Sequence, residues 1–293
     1  MRYYLDPNTL FVRGAFRAAS TVVAGGIRSV STLMIHTVPA GWSHDAPAKE
    51  LDRVAAAAGI GDACFGLLTT VPVQNLCVLQ YDFVTVFITA GINKEPARTT
   101  GTINIIVYSS EGMEDSALLS LVMVATEAKS DTLRDAGYAI SGTPTDAVIV
   151  ACEGAVTHRY AGRSTEAGRR VRDAVKKSVP EALRRSSAGG CESEPGFFIY
   201  SRFKGEHWVE WTPHNCPYYP CHFPGQRCDF CYCPFYPCYK EGLGQWTNGS
   251  NGGRVWNCAG CTLLHEPLVA EYLNKYPESS LEELTHLTKK QNR

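Results

Sequence analysis

The chain has 293 residues, of which 44% are hydrophobic, and its 28 lysines and arginines nearly balance 29 aspartates and glutamates. This composition excludes a disordered or fibrous protein, because a chain of this length and hydrophobicity can bury a core. The formal net charge of -1 also excludes a general attraction to nucleic acid or to an anionic membrane.

No segment of the sequence is apolar enough to span a bilayer. The longest nearly uninterrupted apolar run, 118–125, falls well short of the roughly 20 residues that a membrane helix needs. The first residues, MRYYLDPNTLFVRG, contain aspartate and proline where a secretory signal has an unbroken apolar stretch. We therefore expect a cytoplasmic protein without a membrane span.

In chain order, the region before residue 184 alternates between β-rich and helical runs. Apolar and β-branched runs predict strands at 29–37, 64–70, 76–89, 102–108 and 146–152. Apolar residues at helical spacing predict helices at 46–58, 115–136 and 165–178. This alternation indicates an α+β fold, a layered sandwich of sheet and helix.

The sequence divides into two unlike parts. The stretch 184–196, RRSSAGGCESEPG, has the small, polar and Gly/Pro content of a linker. Half of the aromatic residues follow it, within 197–246. We expect a first domain at 1–183, a linker at 184–196, and a small, irregular, metal-stabilised domain at 197–293.

The predicted helix at 115–136 carries a lysine on its apolar face. At 100° per residue, Lys129 lies within about 60° of Leu118 and its apolar stripe, whereas Glu127 lies on the opposite side. Residues two apart do not face one another, so these two charges cannot pair within the helix. Lys129 either snorkels or forms a buried structural ion pair, or it is catalytic or orients a ligand; the helix alone leaves these alternatives open.

Polar residues interrupt or precede several predicted strands. Thr102 and Asn104 interrupt one strand, and Asp146 stands directly before another. Such residues usually serve turns, but several together predict a pocket at one edge of a sheet. The sequence contains no strong catalytic triad, P-loop, dinucleotide fingerprint or HExxH motif.

Cysteines are concentrated in the second part. Eight of the twelve lie between residues 216 and 261, namely Cys216, Cys221, Cys228, Cys231, Cys233, Cys238, Cys258 and Cys261. In a reducing compartment such clustering indicates metal ligands rather than disulfides. Cys228-x2-Cys231 and Cys258-x2-Cys261 are knuckles, and His265 is one of the histidines that could substitute for a thiolate. Eight thiolates at four per ion would supply two structural sites, with their pairing open.

Zinc is the favoured metal, and an iron–sulfur cluster is the alternative that would use the same thiolates. Free buried cysteines are the weaker interpretation, because this segment has few aliphatic residues with which to build a core. Its aromatic residues would also suit stacking on single-stranded bases. However, basic residues between 197 and 265 are few and nearly matched by acids, which argues against nucleic acid as a partner.

A set of segments carries a resemblance to a known family. They are RAASTVVAGGIRSVSTLMIHTVP (17–39), GLLTTVPV (66–73), VFITAG (86–91), GTINIIV (101–107), ATEAK (125–129) and GTPTDAVIVAC (142–152). In this order the set resembles the adenosylcobinamide amidohydrolase family. The later CPYYPCH, RCDFCYCPFYPC and GCTLLHEP resemble the small cysteine-rich domain appended to enzymes of this kind.

The resemblance implies a corrinoid salvage enzyme. Such an enzyme hydrolyses the amide between the propionyl arm of the corrin ring and aminopropanol in adenosylcobinamide. The products are adenosylcobyric acid and 1-aminopropan-2-ol. For the fold we expect layered sheets between helices, with α-β-β-α as one arrangement.

Amide hydrolysis needs a nucleophile or activated water, donors for the oxyanion and an acid for the leaving amine. We assign general-base work to Glu127 or Asp146. Lys129 would stabilise the oxyanion or protonate the leaving nitrogen.

Thr102 and Asn104 would orient the substrate, and His36 is an outside candidate for catalysis. Cys77 and Cys152 lie in apolar runs and are expected to be packing residues. The rival hypothesis is a zinc-dependent module that binds a corrinoid, nucleic acid or a protein without hydrolysing it.

Overall fold

The computed structural model describes the chain apart from residues 44, 62, 96–97, 188–190, 203–204, 213–215, 217, 232, 249–253 and 292–293. The described residues form two compact units that divide between Trp211 and Thr212. The predicted linker lies earlier in the chain, at 184–196. The structure differs because the two strands after that stretch join the sheet of the first unit.

The first unit contains twelve strands and three helices among its described residues. The strands are β1 (Arg2–Asp6), β2 (Thr9–Ser20), β3 (Gly26–Thr37), β4 (Cys64–Thr69), β5 (Cys77–Tyr81), β6 (Val84–Glu95), β7 (Arg98–Ser109), β8 (Gly112–Met113), β9 (Ala147–Cys152), β10 (Val156–His158), β11 (Gly196–Ser201) and β12 (His207–Trp211). The helices are α1 (Pro47–Ala57), α2 (Asp115–Asp135) and α3 (Glu166–Ser187). Over the part of the chain that the structure describes, none of the helices is long and apolar enough to cross a membrane.

The first unit is a mixed α/β fold built on one ten-stranded sheet. Its strands follow the order β12-β11-β5-β6-β7-β9-β2-β3-β4, and β1 pairs with β2 beside this path. The pairs β11–β5, β7–β9 and β3–β4 are parallel, and the other pairs along the path are antiparallel. Because β7 and β9 are parallel neighbours, their carboxyl ends lie at the same edge of the sheet.

Alternate residues of the strands enter different hydrophobic clusters, as the two-residue period of a strand requires. Val86 and Ile105 face α2 and α3 and pack against the apolar sides of these helices. Phe87, one residue along β6, faces the other way and shares a cluster with Leu33 and Leu67 of β3 and β4. The two halves of the sheet therefore pack on each other.

Helix α1 covers the outer face of the β2–β3–β4 half. Val54 and Ala55 of α1 pack against Phe11 and Met34 in a third cluster. The layers of the first unit thus follow one another in the order helix, sheet, sheet, helix.

The second unit contains the antiparallel hairpin of β13 (Gln245–Asn248) and β14 (Arg254–Asn257), followed by α4 (Pro267–Lys275) and α5 (Leu281–Gln291). Both helices pack on a small core that includes Leu264, Leu273 and Leu284. A capping box starts α5. Ser280 Oγ accepts from the Glu283 N–H, and the Glu283 carboxylate accepts from the Ser280 N–H.

The strands differ from the sequence-based prediction in two respects. The run 76–89 forms two strands, because the chain reverses at Asp82, which has a φ of 53°. Several observed strands were also not predicted, among them β2, an interior strand of the sheet. A register shift between Arg13 and Phe16 breaks the alternation that would have revealed it.

Candidate active site

Lys129 and Asp146 form a buried ion pair in the first unit. Lys129 Nζ lies 2.5 Å from Asp146 Oδ2, and the two side chains are 7% and 10% exposed. Lys129 lies on the face of α2 that packs on the sheet, and Asp146 comes directly before β9. The pair therefore joins the helix to the amino end of a central strand.

The Asp146 carboxylate also accepts hydrogen bonds from other groups. Its Oδ1 accepts hydrogen bonds from the Ile103 N–H at 2.8 Å and the Thr143 hydroxyl at 2.6 Å. Its Oδ2 also accepts from the Thr143 N–H at 2.9 Å. Gly142 leaves room for the ion pair, because a Cβ here would lie 2.5 Å from Asp146 Oδ2 and 2.6 Å from Lys129 Nζ and would displace both side chains. Asp146 thus anchors the turn before β9 to both β7 and α2.

Thr102 and Asn104 lie next to this anchor on β7. The Thr102 and Thr145 hydroxyls are hydrogen-bonded at 2.6 Å. The Asn104 side-chain amide donates to the Leu68 carbonyl at 2.7 Å, whereas its Oδ1 has no partner among the described residues. The structure therefore brings Thr102 and Asn104 to the same end of the sheet as Asp146.

Glu127 and His36 lie away from the ion pair. Glu127 is on the exposed side of α2. His36 lies on β3, where its Nδ1 is 2.8 Å from the Thr9 hydroxyl oxygen and its Nε2 is 3.5 Å from Glu50 Oε1 on α1. Burial lowers the pKa of His36, against the opposing effect of the Glu50 carboxylate. The structure does not bring these two residues to Lys129.

A cavity of about 670 Å³ lies at the other edge of the sheet, at the carboxyl ends of β7 and β9. Phe16, Val30, Met113 and Val156 supply apolar parts of its wall. Its volume falls within the roughly 300–1,000 Å³ typical of small-molecule sites. In sheets with parallel strands, ligands commonly bind at the carboxyl ends. The cavity is therefore a candidate substrate site.

Arg17 and Asp115 form a two-bond ion pair in the wall of the cavity. Arg17 Nε donates to Asp115 Oδ1 at 2.8 Å, and Nη2 donates to Oδ2 at 2.6 Å. This hydrogen bonding raises the pKa of Arg17 and lowers the pKa of Asp115. Nη1 of Arg17 makes no hydrogen bond within the described residues. Glu114, directly before α2, is exposed, and its carboxylate has no hydrogen-bond partner there either.

Glu153 and Cys152 complete the polar lining. Glu153 accepts hydrogen bonds from the Tyr108 hydroxyl at 2.7 Å, the Ala15 N–H at 2.8 Å and the Met1 amino group at 2.9 Å. Burial opposes ionisation of Glu153, but these donors outweigh it and lower its pKa. Burial raises the pKa of Cys152, so it stays a thiol near neutral pH and is a poor nucleophile.

Sequence reasoning missed Arg17, Glu114 and Glu153 as functional candidates. A signal was present, because an acidic turn, EGMED (111–115), joins the predicted strand at 102–108 to the next helix. Glu153 likewise follows directly after the predicted strand at 146–152. The missing information was that these two strands are parallel neighbours.

The eight clustered cysteines of the second unit are free thiols. Gln226 Nε2 lies 3.3 Å from the sulfurs of both Cys221 and Cys228. The pKa of Cys231 is raised to about 11, mainly by desolvation and to a smaller extent by the nearby Cys221, Cys228 and Cys216. Cys231 therefore lies within electrostatic reach of the other three cysteines.

The other four cysteines form a comparable group. The pKa of Cys233 is raised to about 11. Desolvation is the largest cause, the nearby Cys261, Cys238 and Cys258 add to it, and a backbone hydrogen bond opposes it. Cys233 and Cys261 also pack against the same small core, beside Leu263. None of the first group contributes to the pKa shift of Cys233.

His265 lies near the first group. Its Nδ1 is hydrogen-bonded to the Arg227 carbonyl at 2.8 Å, and its ring centroid is 4.4 Å from that of His222. Among the residues that the structure describes, no three Cys, His, Asp or Glu side chains are gathered closely enough to hold a metal ion. The donor chemistry nevertheless fits zinc, because cysteine thiolates are ligands of four-coordinate structural zinc sites and eight of them would supply two such sites.

Comparison with known proteins gives matches for both units. Residues 9–190 match the family model described as adenosylcobinamide amidohydrolase, and residues 207–288 match the model of a cysteine-rich small domain. The chain is 37% identical over 195 residues to an adenosylcobinamide amidohydrolase of Methanosarcina mazei. This match covers 62% of the present chain and 98% of the Methanosarcina mazei protein. The chain is 32% identical over 196 residues to a Halobacterium salinarum protein of the same name, covering 60% and 84% of the two chains. No solved structure matches the chain.

Proposed function

The chain belongs to the adenosylcobinamide amidohydrolase family, and on that premise we infer that it hydrolyses adenosylcobinamide in corrinoid salvage. The bond cleaved is the amide that joins the corrin ring's propionyl arm to aminopropanol. The products are adenosylcobyric acid and 1-aminopropan-2-ol. The protein is thus a hydrolase that acts on a carbon–nitrogen amide bond, with a small-molecule corrinoid as substrate.

The extent of the family match carries this function. The matched residues span nearly all of the first compact unit, and the Methanosarcina mazei relative is matched over almost its whole length. That relative therefore has almost no residues outside the match on which its activity could depend. We accordingly place hydrolysis in the first unit.

Mass spectrometry of adenosylcobinamide incubated with the full chain tests the function. Release of 1-aminopropan-2-ol with formation of adenosylcobyric acid is the expected result. Unchanged ligand together with measurable affinity would instead support the rival hypothesis of a binding module.

We place the reaction in the cavity at the carboxyl ends of β7 and β9. Glu114 would take a proton from the attacking water, because its carboxylate is not engaged by another group. Arg17 Nη1 would donate to the carbonyl oxygen as negative charge develops on it. When the carbon–nitrogen bond breaks, the proton held by Glu114 passes to the leaving nitrogen. Asp115 would hold the Arg17 guanidinium in place for this contact.

The ion pair of Lys129 and Asp146, with Thr102 beside it, is the alternative location. Its support is the gathering of charged and polar side chains at the amino end of β9. The several donors already bound to Asp146 count against it, because a general base needs a free lone pair. The catalytic roles assigned to Glu127, Asn104 and His36 stay predictions.

For the second unit we propose zinc as a structural metal held by its thiolates. Bound there, zinc would supply cross-links for a unit whose apolar core is small. An iron–sulfur cluster remains the competing occupant, and metal analysis with visible absorption spectroscopy separates the two. We also propose a cytoplasmic location, because cysteines clustered at metal-ligand spacing are typical of proteins in a reducing compartment.

A further inference from the structure

The second unit contains a short sequence repeat. The segments CPYYPC (216–221) and CPFYPC (233–238) differ only at their third position, where Tyr218 corresponds to Phe235. Each segment is followed by a C-x2-C knuckle, at 228–231 after the first and at 258–261 after the second. The same four-cysteine pattern therefore occurs twice in tandem.

In the first repeat, Gln226 joins the C-x4-C segment to the knuckle. Its side-chain amide nitrogen contacts the sulfurs of Cys221 and Cys228, and its Oε1 accepts hydrogen bonds from the N–H groups of His222 and Phe223. Gln226 is only 5% exposed, so this bridge lies inside the repeat. The knuckle turns back on itself through a hydrogen bond from the Cys231 N–H to the Cys228 carbonyl.

In the second repeat, the β13–β14 hairpin fills the longer gap between Cys238 and Cys258. The Tyr236 hydroxyl donates to the Trp256 carbonyl at 3.3 Å, and the Tyr239 ring lies edge-on to Trp256 with 5.7 Å between centroids. Trp256 stands two residues before Cys258. The hairpin therefore returns the chain to the C-x4-C segment of its own repeat.

Given the structural metal proposed above, we infer that the second unit forms two separate four-thiolate sites, one for each repeat, when an ion draws together the cysteines that the fold already places in the same repeat. The first site is built from Cys216, Cys221, Cys228 and Cys231, and the second from Cys233, Cys238, Cys258 and Cys261. The two knuckles then serve different ions instead of completing one tetrahedron together. Neither site needs His265, whose Nδ1 is already bonded to the Arg227 carbonyl.

Zinc stoichiometry of full-length Cys→Ser variants tests this partition. The chain is loaded with Zn²⁺ under reducing conditions, and bound zinc is measured by elemental analysis. The expected value is two ions for the unaltered chain and for the control Cys191→Ser, whose cysteine lies outside the second unit. Each of Cys228→Ser and Cys258→Ser should retain one ion.

Double variants separate the two possible pairings. Cys216→Ser/Cys231→Ser alters one site only and should keep one ion, whereas Cys231→Ser/Cys258→Ser alters both sites and should keep none. If the knuckles shared an ion, these two results would be exchanged, and the inference would be overturned. Loss of an ion in His265→Ala would also overturn it, because a site would then need an imidazole.

Thiol alkylation of the unaltered chain gives a test that does not depend on folding of a variant. At less than one Zn²⁺ per chain, native mass spectrometry selects the species with a single ion. Among the eight clustered cysteines, the four that are protected should all come from the same repeat. Protected cysteines drawn from both repeats, or binding of only one ion at saturation, would refute two separate sites. The readout is independent of amide hydrolysis, so it stands whether or not the enzymatic function is confirmed.

Discussion

Lys129 has its charge buried beside a single carboxylate, so its replacement has a cost for folding as well as a possible effect on turnover. In Lys129→Met, Asp146 keeps its hydrogen bonds to Thr143 and Ile103 but loses its cation. Breaking a buried ion pair in this way costs roughly 3–5 kcal/mol. We expect a lower free energy of unfolding in denaturant titration.

Turnover by the folded fraction of this variant decides whether Lys129 is also catalytic. If Lys129 stabilises the oxyanion or protonates the leaving nitrogen, as the sequence analysis proposes, turnover is lost. Activity is therefore divided by the folded fraction, measured by circular dichroism in the same sample. Normal turnover per folded molecule would remove Lys129 from the mechanism and leave it as a structural residue.

Glu114 tests the proposed location of the reaction at the cavity. We expect Glu114→Gln to lower kcat by about 100-fold or more, because a general base typically contributes 10²–10⁴-fold. KM should change little, since glutamine keeps the shape of the side chain. The matched control is Glu166→Gln, an exposed glutamate at the start of α3 whose carboxylate lies away from the cavity. Equal kcat values in the two variants would contradict the role of Glu114.

At the scale of the elements, Asp82 connects the turn between β5 and β6 to two neighbouring segments. It accepts hydrogen bonds from Arg202, after β11, and from Arg170 of α3. The Arg202 hydrogen bond, followed by that of Arg170, holds the pKa of Asp82 at about 2, although partial burial opposes this. The ionised form is therefore favoured in the folded state.

This lowered pKa predicts a dependence of stability on pH. Because the folded-state pKa lies below the unfolded value of about 4, the stabilisation is present above pH 4 and is lost as the pH falls towards 2. Solvent screening limits the effect to at most about 1 kcal/mol. Denaturant titrations between pH 5 and 2 should show the unaltered chain losing its advantage over Asp82→Asn. A constant difference across this range would contradict the assignment.

At the scale of the whole molecule, the division after Trp211 predicts how the chain can be shortened. A chain that ends at residue 211 keeps β11 and β12 and should still hydrolyse adenosylcobinamide in the presence of a metal chelator. A chain that ends at residue 196 loses the pairing of β11 with β5 and the buried ring of Phe198. It should unfold at a lower temperature or aggregate, because the edge of β5 is exposed. Inactivity of a folded 1–211 chain would show that the second unit takes part in hydrolysis.

The sequence by itself determined the family, the amide-hydrolysing function and the cysteine-rich character of the second part, because each is carried by residues close together or in a recognisable order. Helical spacing was also enough to place α2 and to set Lys129 on its buried face, and Asp146 could be named as a polar residue at a strand end. Their contact could not be deduced, because it depends on α2 packing over the start of β9.

Only the tertiary structure decided which distant segments meet. It paired β7 with β9 in parallel and so placed Glu114, Asp115 and Glu153 around one cavity, with Arg17 contributed by β2. It also added β11 and β12 to the first sheet despite their change in composition. Strand pairing and side-chain packing join residues that are far apart in the sequence. Local composition and periodicity therefore do not show which strand or helix a given segment contacts.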